Sequence, residues 1–206
     1  MIMKKYIFSF LIPFCTTMVL ISCDINNKKQ KVIEKTLSED HSKMNHADMN
    51  NIKMTGNFDI DFTNTMMLHH QSAVDMAKKI LLFTTNAEIK KVAQNIIIAQ
   101  EKEITDFKEL LKSGMLKITS GIATNNSSLE ENMMHMDSKM KAIKPTGNTD
   151  KDFLNMMIPH HESAVLMAKD ELMNGNNAAL KLIAQKIITA QENEIKTFEE
   201  VLLRLK

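Results

Sequence analysis

The stretch "MMLHHQSAVDMAK", residues 66–78, contains two adjacent histidines and three methionines, and nearly the same phrase returns as "MMIPHHESAVLMAK" at residues 156–169. The flanking residues recur as well, without gaps, at the constant offset of 91 residues that separates His69 from His160. Self-similarity at a fixed offset over this length is typical of a tandem duplication. The sequence therefore predicts two structurally equivalent units.

The apolar residues of each copy predict two amphipathic helices joined by a short turn. In the first copy they recur at helical spacing in two runs that separate near Thr85, where Thr85 or Asn86 can cap the second helix. The first run contains Phe62, Met66, His69, Ala73, Met76 and Ile80, and the second contains Ile89, Ala93, Ile96, Gln100, Glu103 and Phe107. No alternating pattern indicates a strand. Because one hairpin buries only part of its apolar face, we predict an all-α fold in which tandem duplicated helical hairpins form a four-helix bundle.

The chain divides into five segments by composition and by the repeat. Two of them are predicted to be folded hairpins, and the others are a leader, a polar tether and a connecting segment. The predicted boundaries are 1–22 for a lipoprotein signal peptide, 23–54 for a polar tether containing His and Met, 55–113 for the first hairpin repeat, 114–145 for a linker with a Met and His cluster, and 146–206 for the second hairpin repeat.

The N-terminus has the pattern of a bacterial export signal. A basic start, "MIMKK", precedes an apolar run and then "LISC", residues 20–23, in which the small Ser22 lies before Cys23. We therefore predict cleavage before Cys23 and a lipid on its side chain, which would tether the protein to a membrane without spanning it. A plain signal peptide and a transmembrane anchor are the alternatives. The predicted location is the bacterial cell envelope, on the periplasmic or extracytoplasmic side.

Composition excludes several functional classes. Cys15 is predicted to leave with the signal segment, and Cys23 is predicted to carry the lipid. The mature chain would therefore have no free thiol for a disulfide, a nucleophile or a thiolate metal site. A net charge of +1 and the absence of Trp provide no electrostatic or stacking basis for nucleic-acid binding. No catalytic triad and no glycine-rich phosphate loop is evident, so we expect a binding protein and not an enzyme. The unusual count is 18 methionines.

Counting residues from the turn near Thr85 places polar side chains of the two helices at the same height. His69 lies about fifteen residues before the turn and Gln100 about fifteen after it, so at ~1.5 Å rise per residue both lie roughly 23 Å from it. Each copy is predicted to gather a methionine, two histidines, a glutamine and a glutamate at one level of the bundle. These residues are Met66, His69, His70, Gln100 and Glu103 in the first copy and Met157, His160, His161, Gln191 and Glu194 in the second.

The donor types at this level favour copper. Thioether sulfur is a soft, uncharged donor that prefers Cu(I), for which Ag(I) is a mimic, while imidazole accepts several metals. We take the methionines and histidines as candidate ligands, together with Met76 and Met167 farther along, and the glutamines and glutamates as residues that hold the histidines. Hydrogen bonding of the histidines by Gln and Glu, with no metal, is the alternative. A di-iron bundle would need Glu-x-x-His where these helices have Met-x-x-His.

The two polar segments outside the repeats carry further candidate donors. We treat them as additional or transfer sites for copper, because apolar filling does not explain histidines in polar segments. Flexible apolar packing by the methionines is the alternative. The candidates are His41, Met44, His46 and Met49 in the tether, and Met133, His135, Met136 and Met140 in the linker.

These motifs resemble the CopM-like domain-of-unknown-function family, which is grouped with ferritin-like helical bundles. The resemblance lies in "DKDFLNMMIPHHESAVLMAK", residues 150–169, and in "AQENEI", residues 190–195, while the first copy has Met67-Leu68 where the second has Ile158-Pro159. It covers both repeats and implies a ferritin-like four-helix bundle with copper or silver binding linked to metal tolerance. Pro159 is expected either to kink its helix or to begin it.

Taken together, the residues predict an exported lipoprotein that binds Cu(I) or Ag(I) through Met and His, for copper sequestration, transfer or tolerance. Its expected partners are the membrane, metal ions and a protein that donates or accepts copper, and the sequence leaves homo-oligomerisation open. One alternative is a ferritin-like metal oxidoreductase. The other is an envelope lipoprotein with a structural or interaction role that binds no metal.

Overall fold

The computed structural model describes residues 54–116 and 127–205, and within these ranges the chain forms five α-helices and no strand. None of these five helices is both long and apolar enough to cross a bilayer. Several predicted features lie outside the described residues: the signal segment, most of the tether, and the candidate residues Cys23, His41, Met44, His46 and Met49.

Four long helices form two hairpins, and a shorter helix packs beside the second. The helices are α1 (Phe58–Ile80), α2 (Ala87–Lys112), α3 (Ser127–Ala142), α4 (Thr149–Asn174) and α5 (Ala178–Arg204). Helix α1 packs on α2, α4 packs on α5, and the hairpins meet where α1 packs on α4; α3 also packs on α4. The predicted all-α bundle of duplicated hairpins is thereby confirmed. Helix α3 lies within the segment predicted as a linker.

The four long helices begin at asparagine caps. In each, the asparagine oxygen accepts a backbone N–H of the first turn, which would otherwise lack a partner inside the helix. Of the two candidates near the first turn, Asn86 is the cap, since its Oδ1 accepts from the backbone N–H groups of Glu88 and Ile89. The four caps are Asn57, Asn86, Asn148 and Asn177.

Buried aromatic side chains from both repeats form one continuous core. The edge of one ring meets the face of another inside the first hairpin, where Phe62 and Phe107 lie 6.1 Å apart between ring centroids at 84°. Each such ring removes about 150–250 Å² of apolar surface from water, which makes these side chains the main contributors to the core. The fully buried phenylalanines of this core are Phe58, Phe62, Phe107, Phe153 and Phe198.

A buried aspartate ties the loop before each hairpin to its first helix. The Asp61 carboxylate accepts hydrogen bonds from Thr55 N (2.8 Å), Thr55 Oγ1 (2.7 Å) and Gly56 N (3.1 Å). Gly56 adopts φ 80°, a left-handed conformation that favours glycine. In the second repeat, Asp152 accepts from Thr146 N (2.8 Å) and Oγ1 (2.6 Å). The same loop is therefore built twice.

Replacing Asp61 by alanine should lower the free energy of unfolding by about 3 kcal/mol. Three hydrogen bonds to a buried charge are lost, and their donor groups are left without an acceptor. Urea unfolding followed by circular dichroism measures the change. Asp106→Ala is the matched control, since that side chain is 40% exposed and forms a surface ion pair with Lys102 of its own helix. Equal midpoints for the two variants would refute this role of Asp61.

A buried carboxyl pair joins the first repeat to the turn of the second. Asp59 Oδ1, in the first turn of α1, accepts hydrogen bonds from Asn176 N (2.8 Å) and Asn177 N (3.0 Å). Glu171, near the end of α4, is fully buried, and burial followed by the adjoining Asp59 carboxylate raises the pKa of Glu171 to about 9. Gly175 is required by this close approach, because a Cβ there would overlap Glu171 Oε1. Glu171 is therefore protonated at neutral pH.

Candidate metal centre

Four histidines from the two repeats meet where α1 packs on α4. His69 and His70 on α1 and His160 and His161 on α4 are all fully buried. The rings of His69 and His160 lie 3.8 Å apart between centroids, tilted by 45°. Within each pair, the neighbouring rings lie 6.1 Å and 6.2 Å apart. His69 and His160 therefore form an inner pair that connects the two repeats. His70 and His161, the outer histidines, flank this pair.

Each outer histidine contacts a glutamate from the other helix of its hairpin. His70 Nε2 lies 2.8 Å from Glu103 Oε2, and His161 Nε2 lies 3.0 Å from Glu194 Oε2. The glutamate side chains are 21% and 25% exposed, whereas the histidines are inaccessible to solvent. In both contacts, the histidine and the glutamate lie at similar distances from the hairpin turn, as counting residues from that turn predicts.

A phenylalanine packs against each outer histidine. The ring centroids of His161 and Phe198 lie 4.9 Å apart in an edge-to-face arrangement, and those of His70 and Phe107 lie 6.2 Å apart. Phe107 and Phe198 each follow the contacting glutamate by one helical turn. The helical spacing of Phe107 predicts only a place in the core. The recurrence of Glu-x-x-x-Phe in both copies was the signal that both rings also border the site.

Several buried polar atoms at this level have no hydrogen-bond partner among the described residues. They are both ring nitrogens of His70, Nδ1 of His161, both amide atoms of Gln100 and Oε1 of Gln191. Gln100 and Gln191 are 1% and 2% exposed, so bulk water does not reach them. Buried polar groups are normally satisfied, and each exception needs an explanation.

The candidate methionines of the two histidine-bearing helices belong to the apolar core. Met66 and Met157 are fully buried and lie one turn before the histidine pairs, on the same helix face. Met76 and Met167, farther along the same helices, are also buried. No group of three or more His, Cys, Asp or Glu side chains within residues 54–116 and 127–205 is arranged to hold a metal ion.

Helix α3 divides its candidate donors between the core and the surface. Met133, Met136 and Met140 are buried on one face of α3 and belong to the core cluster. His135 lies on the exposed side. The spacing of the methionines is that of one helical face, so packing against α4 accounts for their burial.

The repeats differ directly before the second histidine pair. Pro159 is buried in the interior of α4, and its counterpart in α1 is Leu68, which is 37% exposed. The expectation that Pro159 begins a helix is wrong, because α4 starts at Thr149 and continues through it. A proline lacks a backbone N–H, so the ladder of hydrogen bonds has a gap next to His160.

Comparison with known proteins identifies relatives of both repeats. A family model described as "Domain of unknown function (DUF305)" matches residues 24–111 and 59–202. CopM is similar in its Cu(II)-bound form, at 31% identity and a TM-score of 0.54, covering 71% of this chain and 96% of CopM. It is also similar in its Cu(I)-bound form, at 30% identity and a TM-score of 0.53, covering 74% and 98%. CopM has also been solved in an Ag-bound form.

Two further relatives extend the comparison. A DUF305 fragment from Deinococcus radiodurans has a TM-score of 0.55 at 24% identity, covering 72% of this chain and 97% of the fragment, which shows a shared fold. An uncharacterized protein of Acanthamoeba polyphaga mimivirus is 40% identical over 53 residues. That match covers 26% of this chain and 35% of the mimivirus protein, so the chain spans about a third of its length.

Proposed function

The chain belongs to the DUF305 family, and on that basis we propose that it binds Cu(I), with Ag(I) as a mimic, through methionine and histidine side chains of its core. The metal-bound forms of CopM support the choice of metal. The composition supports it independently, because methionine is the soft donor left to a chain whose only cysteines are Cys15 and Cys23.

The observation that carries this proposal is the unused bonding capacity of the buried histidines. Nδ1 of His70 and Nδ1 of His161 have no hydrogen-bond partner among the described residues. Leaving such a buried atom unsatisfied costs about 1–3 kcal/mol, and a bound metal ion would remove that cost. Met66 and Met157 lie one turn earlier, where a thioether can join an imidazole as a ligand. These residue types suit Cu(I) better than a hard metal ion.

We further propose that the protein acts in the cell envelope, for sequestration, transfer or tolerance of copper. The pattern at residues 20–23 supports a lipid anchor on Cys23, and a soluble copper donor or acceptor would be its partner. A binding role is favoured over an enzymatic one, because the sequence holds no recognisable nucleophile with its base and orienting group. In α3, the exposed His135 is retained as a transfer ligand, since packing does not require it.

Metal analysis of the mature protein tests the proposal. Samples are loaded anaerobically with Cu(I), Ag(I), Zn(II) or Fe(II), desalted, and their bound metal is quantified. We expect at least about one equivalent of Cu(I) and of Ag(I) to be retained, and Zn(II) and Fe(II) to be lost, because thioether sulfur binds hard or borderline ions poorly. Retained Fe(II) with oxygen-dependent turnover would replace the proposal by an oxidoreductase. Loss of all four metals would leave a structural or interaction role.

A further inference from the structure

We propose that Glu194 is a positioning residue, which holds the proton of His161 on Nε2 and so makes Nδ1 the nitrogen that binds the metal, and that Glu103 has the same role beside His70. This inference rests on the proposed function, since it assigns the coordinating atom of the same site. It concerns which of two ring nitrogens is the ligand.

The contact between carboxylate and imidazole determines the tautomer. Glu103 Oε2 lies 2.8 Å from Nε2 of His70, but this contact lacks the alignment of a hydrogen bond. Glu194 Oε2 and Nε2 of His161, 3.0 Å apart, do form a hydrogen bond. An ionised carboxylate only accepts hydrogen bonds, so Nε2 must carry the hydrogen. In a neutral imidazole the other nitrogen, Nδ1, then holds the lone pair. A ring nitrogen with a free lone pair is the form that binds metal ions.

In His161, Nδ1 is the ring nitrogen that lacks a hydrogen-bond partner among the described residues, while Nε2 has one in Glu194. In the first repeat the corresponding residues lie at ion-pair distance, and neither ring nitrogen of His70 has an aligned hydrogen bond among the described residues. Metal-bound histidines commonly donate their second N–H to a carboxylate, which orients the ring and raises its basicity. The arrangement of His161 therefore matches that of a histidine oriented for metal binding.

The surroundings explain why the carboxylates can remain there without a cation. Each glutamate keeps about a fifth to a quarter of its side chain exposed, at 21% and 25%, so one side of the carboxylate stays hydrated. This hydration lowers the cost of placing a charge beside a buried ring. Phe107 and Phe198 pack against the same histidines and limit rotation of the rings.

The test replaces each carboxylate and reads the tautomer directly. In the double variant Glu103→Leu and Glu194→Leu, the acceptor is lost, and we expect Ag(I) and Cu(I) affinity to fall about 10- to 100-fold. In the variant Glu103→Gln and Glu194→Gln, the amide oxygen still accepts from Nε2–H, so the tautomer should persist with a smaller loss. Nitrogen-15 NMR of the histidine rings, recorded without metal and with Ag(I), distinguishes a protonated from an unprotonated ring nitrogen.

A matched control lies two residues earlier on the same helices. Glu101 and Glu192 pair on the surface with Lys78 and Lys169, so Glu101→Leu with Glu192→Leu should change neither the spectra nor the affinity. In the unsubstituted protein we expect a hydrogen on Nε2, and a shift of the Nδ1 resonance on adding Ag(I). A hydrogen on Nδ1, Ag(I) bound through Nε2, or wild-type affinity in the leucine variant would overturn the inference alone. Failure of the unsubstituted protein to bind Ag(I) or Cu(I) would overturn the proposed function.

Discussion

Replacing His160 and His161 together by alanine should abolish most tight Cu(I) binding, with a loss of affinity greater than about 100-fold. Replacing a residue that hydrogen-bonds to a metal ligand already lowers metal affinity about 10- to 100-fold, and removing the ligands themselves lowers it further. His160 also lies 3.8 Å from His69 across the repeats, so the change disturbs the first repeat as well. Anaerobic competition with a colorimetric Cu(I) chelator measures both affinity and stoichiometry.

The interpretation requires that the variant folds. Alanine at position 161 leaves a void beside Phe198 and removes the imidazole that contacts Glu194. A second variant, His160→Phe with His161→Phe, therefore restores the ring volume without a donor nitrogen. Circular dichroism should show unchanged helix content for this variant, while copper binding remains lost. His135→Ala, on the exposed side of α3, should keep the core site intact. Wild-type copper binding by the phenylalanine variant would exclude these histidines as ligands.

Replacing Glu171 by glutamine should stabilise the protein at neutral pH by up to about 3 kcal/mol and should flatten its dependence on pH. The Glu171 carboxyl is fully buried, and its pKa is raised to about 9 by burial and by Asp59. Lys181 on α5 opposes this effect, but its influence is smaller. Glutamine resembles the protonated acid and still offers N–H groups towards Asp59, yet it has no proton to lose in the unfolded chain.

The sign of this effect follows from proton binding. The unfolded chain releases the proton near the ordinary value of 4.5, whereas the folded chain retains it until about pH 9. Between these values the folded state binds more protons, so the stability of the wild-type protein falls as pH rises. Urea unfolding at pH 4, 7 and 9 should therefore show no advantage of the glutamine variant at pH 4 and the largest advantage at pH 9.

A matched control separates this effect from general charge removal. Glu199→Gln changes an exposed glutamate of α5 and should leave the difference between pH 4 and pH 9 as it is in the wild-type protein. Equal pH dependence in the Glu171→Gln variant and the wild-type protein would mean that Glu171 is ionised in the folded state. In that case the pairing with Asp59 would need a cation or a water path.

Much of the fold is readable from local pattern. The offset between His69 and His160 predicts two equivalent units, and helical spacing of apolar residues predicts two helices in each. Counting places His70 and Glu103 within about one helical turn of the same height, because the rise per residue is constant in both helices of a hairpin, and the structure adds their contact. Asn86 is an equally local feature, since a cap needs only its own side chain and the next turn.

Helix α3 shows the limit of such patterns. Its buried apolar residues are Leu129, Met133, Met136 and Met140, but the intervening residues other than Met134 are polar and the segment is short. A weak stripe of this kind is stabilised mainly by the surface on which it packs, here α4. The sequence therefore indicated a shared methionine face only on the condition that a helix forms.

Periodicity and residue counting, which act within one helix or one hairpin, were sufficient to predict the duplicated hairpins, two candidates for one helix cap and the level at which the histidines lie. The approach of His69 to His160, and of Glu171 to Asp59, came only from the packing of one hairpin on the other. That packing depends on the shapes of whole helix surfaces and on their crossing angle, to which no single stretch of chain contributes enough. For the same reason, the unpaired Nδ1 atoms of His70 and His161 are a property of the folded protein.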